Sequence, residues 1–263
     1  MIINLPLFFS PFSRKANSIY SKADAICAVS ETYALRALQV NSKCNSGTIV
    51  YLGTDLNRFD IFAMEKPLVQ KKAGEIWIAY CGTLGSSYDL SCVIDALAIL
   101  KQEGILASLI VMGDGPKRQV FELNASNKGI NALFVGRLAY NQMCSLLCEC
   151  DITINPIMHK AAQSIINKHA DYAASGLPVV STQENEEYRS LVEKYNMGFN
   201  CKNNDPIDVA EKLRVLILDS ELREKFGKNA RKCAEERFNR KESYKKLCAS
   251  ILGKDFYGRY NSR

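Results

Sequence analysis

From residue 76 onward the 263-residue chain alternates two patterns that cannot share one backbone conformation. Short runs are apolar at consecutive positions; the longer stretches between them carry apolar residues at helical spacing. Residues 76–81, 108–112, 132–135, 152–154 and 177–181 are the short runs. Residues 88–102, with Leu90, Val93, Ile94, Leu97 and Leu100 on one stripe, read as a helix, as do 141–150 and 164–175. A polar helix is expected after Pro116, to about residue 127. The chain beyond residue 181 reads as mostly helical, with a break at 203–206. A strand that is apolar on successive residues is buried on both faces, and helices between strands make the connections parallel. The expected fold is therefore α/β, a doubly wound parallel sheet of Rossmann-like type.

In such sheets ligands bind outside the carboxyl ends of the strands. Four segments fall there. Gly82-Thr83-Leu84-Gly85 follows the first strong strand, and its small residues either let backbone amides approach a phosphate or make a tight turn. It lacks the third glycine of the dinucleotide fingerprint, which counts against a nicotinamide dehydrogenase. Gly113-Asp114-Gly115-Pro116 makes a sharp turn with proline near the first helical position; it reads first as a structural turn beside the site and second as a phosphate loop. Gly136-Arg137 ends the third strand, and residues 155–163 follow the fourth.

The segment 163–178 carries most of the chemistry. Ser164 or Asn155 leads into a helix, Gly176 stands where a left-handed cap is needed, and Pro178 prevents continuation. The amino end of that helix, at Ser164 and Ile165, faces the carboxyl edge of the sheet, where free amides and the positive dipole end suit a diphosphate. Lys168 and Asp171 are three apart and share a helix face. A lysine neutralises phosphate charge and an aspartate accepts hydrogen bonds from a ribose diol; the bland alternative is a surface Lys-Asp pair.

The succession SKADAICAVSE, TIVYLGTDLNRF, IAYCGTLG, LIVMGDGP, LFVGRL, CDITINP and SGLPVVST resembles the carboxyl-terminal half of glycosyltransferase family 4 proteins. The resemblance runs from about residue 18 to the end. It implies the GT-B fold and transfer of a sugar, with retention, from a nucleoside diphosphate sugar. It also implies two acidic site residues eight apart. Counted back from Gly176, the second falls on Asp171 and the first on Gln163, so this chain carries Q-x7-D. The arginine and lysine that the family often carries in the first loop fall on Thr83 and Tyr88, and both charges are gone. Lys168, in S-I-I-N-K, resembles the S-x-x-x-K of a polysaccharide-assembly subgroup and is the candidate replacement cation. The implied catalytic set is Gln163, Lys168 and Asp171. The implied donor-binding set is Gly82, Thr83, Gly85, Gly113, Asp114, Gly136, Arg137, Ser164 and Ile165.

The resemblance divides the chain into 1–47, a remnant and crossing segment of an amino-terminal acceptor domain that is otherwise largely missing; 48–235, the nucleotide-sugar-binding domain; and 236–263, a terminal helix and tail. It leaves open an enzyme in polysaccharide biosynthesis, a donor-binding subunit or inactive remnant awaiting a separately encoded amino-terminal domain, and a nucleotide-sugar epimerase. The last needs acid and base groups, and the chain has two histidines, His159 and His169. No cofactor is expected beyond a UDP-sugar or GDP-sugar donor, with a glycan or lipid-linked acceptor. Ten scattered cysteines form no CxxC pair, and Cys144, Cys148 and Cys150 lack the spacing of a zinc site, so no metal is expected and the compartment reads as reducing. A net charge of +6 sits largely in residues 14–22 and 228–246. The second stretch alternates signs as a solvated helix face does, with peripheral contact at the inner face of a membrane as the alternative. No aromatic-basic platform points to nucleic acid. The expected location is cytoplasmic.

Overall fold

The computed structural model describes residues 5–161 and 165–252. The chain forms two compact units: residues 53–239, and the described residues before 53 together with those after 239. In the smaller unit, helix α1 (Leu5–Tyr20) precedes strand β1 (Cys27–Ala28), helix α2 (Glu31–Leu38) and strand β2 (Thr48–Ile49). The two strands pair in parallel. Ser30 caps α2 through its hydroxyl, and Ile26, Ala34 and Ala37 form the small core.

The larger unit opens with α3 (Leu56–Ala63), followed by β3 (Trp77–Cys81), α4 (Leu90–Gln102), β4 (Ser108–Met112), α5 (Arg118–Asn127) and β5 (Ala132–Gly136). Then come α6 (Tyr140–Cys148), β6 (Ile152–Asn155), α7 (Asn167–Ala174), β7 (Val179–Ser181) and α8 (Glu186–Tyr195). The unit ends with β8 (Gly198–Asn200), α9 (Pro206–Leu218) and α10 (Ser220–Arg237), and α11 (Arg240–Leu252) packs on β2 of the smaller unit. Asp89, Asn185, Asp205 and Asp219 each cap the helix that follows them, and Pro206 opens α9 at a position that needs no amide hydrogen.

The six strands of the larger unit run parallel in the order β5-β4-β3-β6-β7-β8, as the continuous apolar runs imply. Every residue of β3 and β4 is buried. Ile78 and Tyr80 face a core built with Leu90, Val93, Ile94, Leu97 and Leu100 of α4 and with Val209 and Leu213 of α9. Alternation turns Ala79 and Cys81 to the opposite face, where Cys81 donates its amide to the Tyr172 hydroxyl of α7 at 2.7 Å. Helices therefore cover both faces.

Two features differ from the sequence expectation. Helix α7 begins at Asn167 rather than 164, because Ile166 is extended (φ −114°, ψ 159°) and donates its amide to Nδ1 of His169. Asn155 does not lead into that helix: it ends β6, buried, with its side chain bonded to Ser181 and Gln183. And β8, a three-residue edge strand, lies in the stretch read as helical; α8 stops at Asn196, which takes the left-handed conformation (φ 50°).

The far end of α7 is fixed by close packing. Gly176 takes the left-handed conformation expected of it (φ 67°). The Arg231 guanidinium of α10 donates to the Ala174 carbonyl at 3.1 Å and holds Asp60 of α3 through two contacts of 2.6 and 2.8 Å. A side chain at Gly227 of α10 would place its Cβ 2.1 Å from the Gly176 carbonyl oxygen. On an exposed helix Gly→Ala adds roughly 1 kcal/mol of stability. Here the backbone contact reverses the sign: Gly227→Ala should cost about 1–3 kcal/mol in urea unfolding.

Candidate functional site

Strand β3 continues through α4 to β4 on one side, and β6 through α7 to β7 on the other, so the strand order reverses between β3 and β6. Crevices at such switch points bind ligands. A cleft of about 360 Å³ opens here, lined by Gly82, Thr83, Gly113, Asp114, Arg137, Lys168 and Asp171, with Cys81, Met112, Leu138 and Met143. The first seven are residues singled out in the sequence; the last four were not, since a buried thiol and apolar side chains carry no pattern that separates a cleft wall from core. Gly85, Gly136 and Ile165 do not line the cleft. Gly136 has a backbone role, accepting the Gly113 amide at 2.8 Å with φ 77°. Gln163 and Ser164 lie outside the described residues.

The floor of the cleft is backbone against backbone. Gly113 (φ 152°) lies so near the Gly82 carbonyl that a Cβ would meet its oxygen at 1.8 Å, and one on Gly115 would meet Leu84 oxygen at 2.5 Å. The Leu84 amide donates to Asp114 oxygen and the Lys117 amide to Leu84 oxygen, each at 2.9 Å. Gly113 and Gly115 are thus required by this stitching, and Gly82 (φ 144°) leaves room for two side chains: a Cβ there would stand 3.3 Å from the Tyr80 hydroxyl and 3.4 Å from Lys168 Nζ.

Lys168, in the first turn of α7, is buried to 9% exposure, and among the described residues its Nζ has no hydrogen-bond partner. The ammonium lies over two rings, 4.0 Å from the centroid of Tyr88 and 4.4 Å from that of Tyr80. Burial pushes its pKa down to about 7, with the neighbouring Cys81 opposing weakly. This is a cation held in a dry place beside a cleft, a costly arrangement where no anion is received.

One turn along, Asp171 accepts a hydrogen bond of 2.8 Å from the Tyr140 hydroxyl, which lies 2.6 Å from the Thr54 hydroxyl. Burial, then the Asp171 carboxylate, push the Tyr140 phenol well above its usual value, so it keeps its proton and donates. Having given its single hydrogen to Asp171, Tyr140 must accept from Thr54. Lys168 and Asp171 therefore share the cleft without pairing with each other.

The histidines do not serve this cleft. His169 stacks on Tyr188 at 3.5 Å and 8°, and burial keeps it well below its ordinary pKa, hence neutral. His159 pairs with Glu184 at 2.7 Å on the exposed side of the loop after β6. Neither is placed as the acid or base an epimerase would need. A second cavity, of about 320 Å³, lies at the opposite end of the sheet between Leu97, Ile105 and Ile130, and its lysine, Lys101, is already bonded to the Gly129 carbonyl at 2.7 Å. Among the described residues no group of three or more His, Cys, Asp or Glu is arranged to hold a metal ion, and no helix is long and apolar enough to cross a membrane.

Comparison with known proteins places this geometry. An uncharacterized glycosyltransferase of Methanocaldococcus jannaschii is 25% identical over 244 residues, covering 89% of this chain and 60% of its own length. The GDP-mannose-dependent alpha-(1-6)-phosphatidylinositol dimannoside mannosyltransferase of Mycobacterium tuberculosis is 25% identical over 169 residues, 62% of this chain and 39% of that protein. The chain thus spans about 60% or less of these relatives. Among solved structures, Anabaena HepE in complex with UDP superposes with a TM-score of 0.76 at 17% identity, over 95% of this chain and 70% of that one. A glycosyltransferase from Rickettsia africae gives 0.73 at 18%, over 93% and 68%. These likenesses are of fold: the GT-B, Rossmann-like sheet. The family described as Glycosyl transferases group 1 matches residues 64–233, and the chain belongs to it.

Proposed function

We propose that the chain is the donor-binding half of a retaining GT-B glycosyltransferase of family 4. Its cleft takes the diphosphate and ribose of a nucleoside diphosphate sugar. The observation that carries this reading is Lys168: a buried ammonium without a hydrogen-bond acceptor among the described residues, in the wall of a cleft at the switch point of the sheet. A bound diphosphate supplies the acceptor that the fold does not. Asp171, held by Tyr140, accepts from the ribose diol. The turn at Gly82-Thr83 and the loop at Gly113-Asp114 approach the phosphates, and Arg137 stands at the exposed rim. Gln163 is assigned to a sugar hydroxyl on the family resemblance alone.

In the reaction the bond from the anomeric carbon to the diphosphate oxygen breaks as the acceptor hydroxyl bonds to the same face of that carbon. The acceptor's proton passes to the departing phosphate oxygen. Charge grows on that diphosphate, and Lys168, with the amino end of α7, stabilises it there. The acceptor, a glycan or a lipid-linked glycan at the inner face of a membrane, is assigned to a separate acceptor-binding domain. UDP, UDP-glucose and GDP-mannose, which the names of the similar proteins mention, are the first donors to test.

Calorimetric titration with UDP-glucose, GDP-mannose and NAD tests the assignment: one of the nucleotide sugars should bind, and binding of NAD alone would overturn it. Lys168→Met should weaken nucleotide-sugar affinity about 10–100-fold, the worth of a charge-assisted contact. The same substitution should raise stability. The folded-state pKa of Lys168 is near 7 against an ordinary 10.5, so the folded protein carries the penalty of a buried charge fully at pH 7 and below, and loses it as pH rises to 10.5. Lys168→Met is expected to add on the order of 3 kcal/mol at pH 6.5, with the gain fading toward pH 10 in denaturant titrations. Asp171→Asn keeps shape and removes charge, and should weaken donor affinity about tenfold in the same titration with little change in Tm.

A further inference from the structure

We infer that Tyr80 and Tyr88 are the positioning residues of the donor site: their rings form a two-walled aromatic clamp that sets the Lys168 ammonium beside the Gly82 turn and favours its charged state without using an anion. The inference rests on the reading of Lys168 as the partner of the diphosphate.

The geometry is that of a corner. The two rings meet edge to face, centroids 5.8 Å apart at 72°, and Nζ lies over both. The Tyr80 hydroxyl donates to the Thr83 carbonyl at 2.8 Å, and Nζ meets the face of the ring rather than its oxygen. That bond also ties the ring to the turn that lines the cleft. Tyr88 sits just before α4, its backbone bridged to Ile157 beyond β6, so each wall of the clamp is anchored to a strand end at the switch point.

The charged and titratable groups around Lys168 leave the rings as its chief stabiliser. From β3 come Tyr80 and the Cys81 thiol, which burial keeps protonated. The loop before α4 contributes Tyr88, the loop after β4 Asp114, and the loop after β5 Arg137. On α7 itself stand His169, neutral, and Asp171, engaged by Tyr140. Among the described residues no carboxylate lies within ion-pair distance of Nζ. An acidic partner would hold the ammonium charged but would compete with an incoming diphosphate. Ring faces attract a cation through the quadrupole and offer nothing that a phosphate must displace.

The clamp predicts a difference between aromatic and aliphatic replacements. Losing one wall should lower the proton affinity of Lys168 by roughly one pH unit. With the wild-type midpoint near pH 7, Tyr88→Leu should then lose about twofold in UDP-glucose or GDP-mannose affinity at pH 6 and about tenfold at pH 8. Tyr88→Phe, which keeps the ring, should stay within about twofold of wild type at both pH values. An equal loss at pH 6 and pH 8, or the same loss in Phe as in Leu, would overturn the clamp. Carbon-detected NMR titration of the lysine ε-methylenes reads the clamp without any nucleotide. In unmodified protein the Lys168 signals should be shifted upfield by the rings and titrate near neutral pH, and the midpoint should fall in Tyr88→Leu. An unshifted Lys168 signal would sink the inference even if Tyr88→Leu failed to fold. Absence of nucleotide-sugar binding with a shifted, low-titrating Lys168 would instead overturn the reading of the site and keep the clamp.

Discussion

Gly113 has no room for a side chain, and the cleft depends on that. Its backbone lies against the Gly82 carbonyl at a distance a Cβ would violate, and its amide bonds the Gly136 carbonyl, so the loops after β3, β4 and β5 are drawn into one floor. Continuous apolar strands bring these ends side by side, and the parallel connections send every helix back to begin at the same edge. The loops can be short because β3 and β4 beneath them are fully buried, and the glycines let backbone rather than side chain form the surface there.

Placed over this floor, Lys168 is the element that works against stability. Burial of a lysine without an acceptor disfavours the charged form, and this chain tolerates it at the amino end of a helix whose other end is tightly secured by Arg231, Asp60 and the Gly176–Gly227 contact. The cost of that burial is thereby concentrated at one point of the cleft wall, and strongly shifted groups in clefts cluster at functional sites.

Much of this was legible before any coordinates. Apolar runs of four to six residues followed by glycine located β3, β4 and β5, and the Gly176-Leu177-Pro178 sequence located the end of α7, because in each case the local pattern and the tertiary environment demand the same residues. Strand β8 was not legible: three residues at a sheet edge, Gly198-Phe199-Asn200, have no period to detect. The start of α7 was misplaced because Ile165 and Ile166 fit a helical stripe, whereas the cap is made by a histidine three residues on, a residue with no strong preference for that role. Of the site, the glycines and the Lys168–Asp171 spacing could be read; the partners could not. Tyr80 and Tyr88 look like core aromatics in sequence, and only the fold shows that a cation lies over both.

Asp171 shows how a short carboxylate on a helix face is oriented by its surroundings. Here its orientation is set from behind. Thr54 donates to Tyr140 and Tyr140 donates to Asp171, a relay in which each hydroxyl has one assigned direction. Thr54 is itself fixed, its amide bonded to the Phe238 carbonyl at 2.8 Å, at the point where the chain enters and leaves the larger unit. The Tyr140 ring is braced edge-on by Phe62 of α3 at 6.1 Å. The carboxylate that lines the cleft is therefore held by residues more than thirty positions away in sequence that do not line it, and a conservative change at Thr54 or Tyr140 reaches the cleft through Asp171.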